Sequence, residues 1–185
     1  RDKLIAGLDV PLGGSMLEVG CGTARNLIHA ARRYPTAQAY GFDVSEEMLR
    51  TARASVERAG LDTQIQLVSA DATAFSSDEL NGAPVFDRVF ISYALSMIPG
   101  WRDVVSCAAT CIAQGGEIHI VDFGDFSKYP TWIQHTQRSW LRRFSVIPIS
   151  DFEDELSILA SQLGLESKIT RLYGGYAVLA RLSLS

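Results

Sequence analysis

The sequence predicts an α/β fold with a mostly parallel sheet, helices on both faces and an antiparallel strand at its C-terminal end. Short apolar runs alternate with stretches of helical spacing from residue 15 to residue 123. Two strand-like runs then follow with only Gly174 and Gly175 between them, which is too short for a parallel crossover and predicts a hairpin. The 185 residues are enough for a single domain, residues 1–185, with its own core.

The predicted elements follow one another in a regular order. Strands are predicted at 15–19, 38–43, 64–71, within 86–95 and at 117–123. Helices are predicted between them at 23–34, 45–60 and 101–116, with Ser45 and Gly60 as caps of the second. Such alternation indicates parallel strands joined by right-handed crossovers. The C-terminal runs at 166–173 and 176–184 bring the expected total to seven strands.

Composition limits the possible functions. Charged residues make up 21% of the chain and the formal net charge is -4, so broad nucleic-acid binding is not expected. No apolar run reaches the roughly 18 residues of a membrane span, and no signal peptide is visible, which predicts a cytoplasmic protein. The chain opens with Arg1, and we therefore expect a truncated N-terminus. Cys21, Cys107 and Cys111 lack zinc-ligand spacing, so no metal site is predicted.

The stretch LEVGCGTARN, residues 17–26, predicts a strand that enters a glycine turn and then a helix. Gly20 and Gly22 would let the backbone approach a ligand closely, and Gly20 is expected to take a positive φ. A dinucleotide fingerprint would place its last glycine at Arg25, which is too bulky for that contact. Glu18 would repel a pyrophosphate but attract an ammonium or sulfonium. The predicted ligand is a nucleoside with a cationic end, and a nicotinamide oxidoreductase is disfavoured.

This stretch resembles motif I, E/D-x-G-x-G-x-G, of class I S-adenosylmethionine-dependent methyltransferases. Ala24 stands at the third glycine, which is a mild departure, because alanine is the smallest substitute and suits the start of a helix. The resemblance covers residues 15–123. It implies a Rossmann-like class I methyltransferase fold, S-adenosylmethionine as cofactor and S-adenosylhomocysteine as product.

The resemblance also implies a set of cofactor residues. Asp43 ends the second predicted strand, where a carboxylate can accept both ribose hydroxyls. Asp71 follows the third strand and is expected to accept from the adenine amino group, while the amide of Ala72 meets a ring nitrogen. The segment FISYALSMI, residues 90–98, would line the methyl-donor side. The full set is Glu18, Gly20, Cys21, Gly22, Thr23, Asn26, Asp43, Val44, Met48, Asp71, Ala72, Thr73, Ser92 and Tyr93.

At a finer level, VFISYALSMIPGW, HIVDFGDF and LYGGYAVLA are similar to a bacterial betaine-lipid family, which trimethylates the amino group of diacylglyceryl-homoserine. This implies a small-molecule or lipid headgroup amine as substrate. Residues 124–150 are long for a connection, and we interpret them as an acceptor-side insertion. The Trp- and Arg-bearing pattern at 130–145 is typical of peripheral contact with the inner membrane surface. A helix packed on its own sheet or on a second subunit is the alternative, and the oligomeric state stays open.

Aromatic residues are the candidates for the acceptor side. A methylated amine is cationic, and aromatic faces tolerate it through cation–π attraction. The candidates are Tyr93, Tyr129, Tyr173 and Tyr176. Tyr93 and Asp122 are the predicted catalytic residues, with a cofactor wall and a loop cap as their alternative roles. Two rival functions remain: a small-molecule N- or O-methyltransferase of quinone or amino-alcohol type, and a non-catalytic module that binds the nucleoside.

Overall fold

The structure is a computed structural model that describes residues 1–80, 85–124 and 151–184. Its strands are β1 (Ser15–Val19), β2 (Gln38–Asp43), β3 (Ile65–Ser69), β4 (Phe86–Ser92), β5 (Ile112–Phe123), β6 (Leu165–Leu172) and β7 (Ala177–Leu184). Its helices are α1 (Asp2–Ala6), α2 (Arg25–Arg33), α3 (Glu46–Ala59), α4 (Trp101–Thr110) and α5 (Phe152–Gln162). The predicted membrane contact at 130–145, nearly all of the predicted insertion at 124–150, and Tyr129 lie outside these described residues.

The seven strands form one sheet in the order β3-β2-β1-β4-β5-β7-β6. Strands β1 to β5 pair in parallel, while β7 pairs antiparallel with both β5 and β6. The predicted C-terminal hairpin is therefore confirmed, and so is the predicted fold class. The strand order reverses between β1 and β4, which opens a crevice at the carboxyl edge of the sheet.

Helices cover both faces of this sheet, as predicted. Apolar side chains of α1, α2 and α3 pack on one face against alternate strand residues such as Met16, Ala39 and Phe90. The apolar side chains of α4 and α5 pack on the other face of the sheet, against the intervening strand residues, such as Val89 and Ile91. This alternation follows from the two-residue period of a strand. No helix in the described part of the chain is long and apolar enough to cross a membrane.

The predicted junction between α4 and β5 is wrong. The helix predicted to end at the glycines of 115–116 stops at Thr110, and β5 begins at Ile112. The pairing of β5 with β4 is irregular there, since Phe86 pairs with Ile112 and Arg88 with Glu117. A Cβ on Gly116 would lie 2.9 Å from the carbonyl oxygen of Phe86, so only glycine fits this irregularity.

The start of α2 also differs from the prediction. This helix begins at Arg25 rather than near Thr23, and Ala24 precedes it with φ 60° in the left-handed region. The backbone at Ala24 therefore has the left-handed conformation that glycine adopts most easily. The expectation that alanine suits this position as the start of a helix is wrong. In contrast, the predicted caps of α3 are confirmed, because Ser45 Oγ accepts the N–H of Met48 and Gly60 takes a positive φ of 67°.

Candidate active site

The glycine turn after β1 holds its shape through backbone contacts. Gly20 takes the expected positive φ, 67°, and a Cβ there would lie 3.1 Å from the Cβ of Ala94. Gly22 has φ 54°. Cys21 N–H donates to the carbonyl oxygen of Phe42 at 2.9 Å. Burial raises the pKa of the Cys21 thiol, so the thiol stays protonated and the residue serves the turn through its backbone.

Asp43 ties this turn to the end of β2. Its Oδ2 accepts the N–H of Gly22 at 2.8 Å, and its Oδ1 accepts the N–H of Ser45 at 2.9 Å. An ionised carboxylate has about four lone-pair sites, so these two contacts leave room for ribose hydroxyls. The carboxylate is thus fixed in place beside the turn before a ligand arrives.

A cavity of about 320 Å³ opens beside Asp43. Its lining residues are Gly20, Phe42, Asp43, Val44, Ala70, Asp71, Ala72, Ala94, Met97, Ile98 and Pro99. Five of the predicted cofactor residues, Gly20, Asp43, Val44, Asp71 and Ala72, belong to this set. One wall of the cavity is apolar and is formed by Phe42, Met97, Ile98 and Pro99. The sequence analysis placed the segment 90–98 at the site but named none of these four residues individually. An apolar slot with acids at one side suits a purine nucleoside.

Asp71 is prepared for ligand contact by its neighbour. Asp71 Oδ1 accepts both the N–H and the hydroxyl of Thr73, each at 2.8 Å. These hydrogen bonds, the backbone one first, lower the pKa of Asp71 and favour its ionised form. Thr73 therefore orients Asp71.

Glu18 is the most unusual group of the site. It is 1% exposed, its Oε1 accepts from Asn26 Nδ2 at 3.0 Å, and its Oε2 has no hydrogen-bond partner among the described residues. Burial raises its pKa to about 8, against the smaller lowering effects of Asn26, the Leu27 amide and Arg1. The carboxyl group is therefore largely neutral at pH 7 until a cation approaches, which corrects the simple expectation of an anionic crevice. An orphaned carboxyl oxygen fits the cationic end of the predicted cofactor.

A second cavity, of about 420 Å³, is formed by residues in and next to α1, at the ends of β4 and β5, and between β6 and β7. It is lined by Arg1, Asp2, Lys3, Tyr93, Phe123, Tyr173 and Tyr176, and we call it the aromatic cavity. Phe123 contacts the rings of Tyr93 and Tyr176, with centroid distances of 4.8 and 5.9 Å. Three of the four predicted tyrosines are thus brought together from distant parts of the chain. Phe123 is the aromatic residue that the sequence analysis missed.

Cations already contact these rings. The Arg1 guanidinium carbon lies 5.3 Å from the Tyr93 centroid, and Lys3 Nζ lies 5.1 Å from that of Tyr173. Both tyrosines adopt left-handed backbone, with φ 56° and 50°. Such a conformation costs on the order of 1–2 kcal/mol for an L-residue, and strain of this kind is concentrated at functional sites. The aromatic cavity is therefore a site where positive charge is well accommodated.

Asp122, the second predicted catalytic residue, is 1% exposed. Its Oδ2 accepts the N–H of Ser96 at 3.2 Å and its Oδ1 that of Phe123 at 2.7 Å, while burial raises its pKa. These contacts match the alternative role of a loop cap, and proton acceptance stays a prediction. Ser92 is nearly buried, and its hydroxyl has no partner among the described residues.

Nine of the fourteen predicted cofactor residues are not among the lining residues of the 320 Å³ cavity, and Thr23 and Met48 are two of these nine. Thr23 lines a separate groove of about 360 Å³ along α2, together with Arg25 and Arg32. Met48 lies in the first turn of α3 with about half of its surface exposed. Within the described residues, no group of three His, Cys, Asp or Glu side chains could hold a metal ion.

A family described as methyltransferase domain matches residues 16–116. The chain belongs to this methyltransferase domain family. The matched residues include the glycine turn, both acids of the 320 Å³ cavity, β2 to β4, and β1 except for its first residue.

Two curated relatives show the range of the similarity. Phosphatidylethanolamine N-methyltransferase from Cereibacter sphaeroides is 36% identical over 110 residues, which are 60% of this chain and 51% of that protein. Demethylmenaquinone methyltransferase from Bacillus subtilis is 29% identical over 119 residues, 64% of this chain and 49% of that protein. The chain spans about half the length of the curated relatives it matches.

The crystal structure of the YcgJ protein from Bacillus subtilis has the same fold. It superposes with a TM-score of 0.73 at 17% identity, covering 99% of this chain and 97% of that one. The likeness concerns the fold, since the identity is low.

Proposed function

We propose that this domain uses S-adenosylmethionine to methylate an amine, in first place the amino group of diacylglyceryl-homoserine. The observation that carries the proposal is the aromatic cavity, whose Tyr93 follows β4, the strand that pairs with β1 at buried Glu18. A site for N-methylation must hold a nitrogen that becomes cationic, and aromatic faces stabilise such a charge. The cations of Arg1 and Lys3 already lie against two of these rings.

The chain offers a partner for each part of the cofactor. Glu18, held by Asn26, would accept from the methionine ammonium, and Asp43 from the ribose hydroxyls. Asp71 would accept from the adenine amino group, while the apolar wall of the 320 Å³ cavity would cover the adenine ring. When bound, S-adenosylmethionine supplies a methyl group activated by its sulfonium.

The order of these groups along the sheet supports the proposal. Asp43 ends β2, Glu18 lies in β1 and Tyr93 follows β4, on three neighbouring strands. Strands are about 4.8 Å apart, so the ribose partner and the aromatic cavity are separated by about 10 Å along the edge. A nucleoside with an amino-acid arm spans such a distance. Its reacting end would then face the aromatic rings, where positioning supplies most of the catalysis.

A lipid acceptor is supported by the relatives. The 36% identical relative carries a name that refers to the amine of a phospholipid. The proposed location is the cytoplasm, at the inner membrane surface, with contact through residues 130–145. The name of the 29% identical relative refers to a demethylated quinone, so a small-molecule N- or O-methyltransferase of quinone or amino-alcohol type is the second candidate.

The test compares two substitutions of one aromatic residue. Tyr176→Phe keeps the π face, whereas Tyr176→Leu keeps an apolar side chain without it. For an amine acceptor, KM should be nearly unchanged in the first variant and raised about tenfold in the second, because cation–π attraction is worth up to about 2 kcal/mol when desolvated. Acceptors are presented as short-chain diacylglyceryl-homoserine and a demethylated quinone, with labelled methyl donor.

Two outcomes would contradict the proposal. Label that enters the quinone and not the amino lipid would favour the second candidate. Equal KM values for the two Tyr176 variants would remove the aromatic cavity from acceptor binding. Donor affinity, measured by calorimetry on the same variants, controls for loss of folding.

A further inference from the structure

Three basic residues form one row across the C-terminal strands. His119 of β5 pairs with Arg181 of β7, and Arg181 pairs with Lys168 of β6. Like charges directly opposite each other on neighbouring strands are destabilising. Burial lowers the pKa of His119, so this imidazole is mostly neutral at pH 7, and the unfavourable pair of like charges is that of Arg181 and Lys168.

This row lines a cavity of its own. The cavity has a volume of about 180 Å³, the share of roughly six liquid water molecules. Lys3 and Leu4 of α1 close it opposite the sheet. Lys3 also lines the aromatic cavity, so the two cavities share a wall. We call the smaller one the basic pocket.

Positive charge exceeds negative charge at the basic pocket. Glu117 is 8% exposed and forms ion pairs with Arg181, with Arg88 at 3.8 Å and with His119 at 2.9 Å. This carboxylate is shared by two guanidinium groups and by the imidazole of His119, whose pKa is lowered by burial. Among the described residues, no carboxylate lies within 4.0 Å of the amines of Lys3 or Lys168.

We propose that the basic pocket binds an anionic group carried by the methyl acceptor, a phosphate or a carboxylate, through Lys3, Lys168 and Arg181. The inference rests on the proposed function, since the amine of the same molecule would occupy the adjoining aromatic cavity. The acceptor would thus be a molecule whose headgroup carries both an amine and an acidic group. Lys3 contacts both halves of such a zwitterion, which makes it and Lys168 determinants of acceptor specificity.

The direct test measures anion binding without catalysis. Inorganic phosphate is titrated into isotope-labelled protein, and the amide signals of β5, β6 and β7 are followed by NMR. Phosphate should shift the signals of Lys168 and Arg181, and Lys168→Gln should weaken its binding about tenfold, because a hydrogen bond to a charged group is lost. The matched control is Arg58→Gln, which removes one exposed charge from α3 and should leave the titration unchanged. Absence of shifts at the row overturns the proposal.

The second test asks where the anion comes from. Three water-dispersible acceptors are compared: short-chain phosphatidylethanolamine, short-chain diacylglyceryl-homoserine and an amino lipid with a neutral ether linker. Lys168→Gln should raise KM about tenfold for the first two and leave it unchanged for the third, with kcat unaffected.

The outcomes separate the two proposals. An equal KM change for the neutral lipid would overturn the role of the basic pocket in acceptor selection. The role would also be overturned if Lys168→Gln reduced binding to anionic vesicles and left the acceptor KM unchanged. That result would assign the charge of Lys168 to contact with a membrane surface. If no amine is methylated while phosphate still binds the row, the proposed function fails and the anion site stands.

Discussion

Lowering the pH from about 8.5 to about 6.5 should weaken S-adenosylmethionine binding roughly 25-fold, because Glu18 must ionise to receive the cationic end of the ligand. Its pKa in the ligand-free protein is raised to about 8 by burial. The ionised fraction then falls from about three quarters to about 3% across this range. In free energy the loss is about 2 kcal/mol.

Ionisation of Glu18 at higher pH should strengthen ligand binding but lower the free energy of unfolding of the ligand-free protein. The pKa of Glu18 is raised on folding, so its stabilising contribution is fully present below the ordinary value near 4.5 and is lost as the pH rises through about 8. Between about pH 6.5 and pH 8.5, the free energy of unfolding should fall by about 2 kcal/mol, or roughly 4–8 °C in Tm for a chain of this size. The pH that favours binding therefore disfavours the empty protein.

Calorimetry in two buffers with different ionisation enthalpies checks the linkage. At about pH 7 the wild-type protein should release close to one proton per ligand bound from this carboxyl group. Glu18→Gln is the matched control, because it keeps the contact with Asn26 and cannot ionise. The amino group of the ligand titrates against both proteins, so their difference isolates Glu18. Equal pH dependence of affinity in the two proteins would refute the reasoning.

Three further substitutions have defined outcomes. Asp43→Ala should abolish measurable cofactor binding by calorimetry and lower the free energy of unfolding by about 1–3 kcal/mol, since the Gly22 amide loses its acceptor; unchanged affinity would remove the ribose role. Tyr93→Phe should lower kcat more than cofactor affinity, and the reverse pattern would make this ring a cofactor wall. Glu117→Gln should lower the free energy of unfolding by about 3 kcal/mol in urea titration, because Arg88 is buried beside it; a loss under 1 kcal/mol would contradict this.

Local sequence patterns were sufficient for most of the fold. Apolar runs and glycine turns located the parallel strands of the matched region, and the two-residue link at Gly174 and Gly175 required a hairpin. The errors occurred where a local signal was ambiguous. Residues 112–116 continue a helical pattern, yet pairing with β4 converts them into the irregular start of a strand. Sheet pairing is a long-range interaction that helical spacing does not report.

The sequence by itself determined which side chains end the strands of the crevice, because that follows from element order. Only the tertiary structure decided how these groups behave. Within the described part of the chain, one oxygen of buried Glu18 has no hydrogen-bond partner, and burial keeps the carboxyl group largely neutral, which no local pattern reports. The aromatic cavity unites Tyr93 with Tyr173, 80 positions later, and strand register aligns Arg181 with Lys168. The charge state of Glu18 depends on desolvation, and the meeting of distant residues depends on how the chain crosses the sheet. Both are properties of the packed molecule.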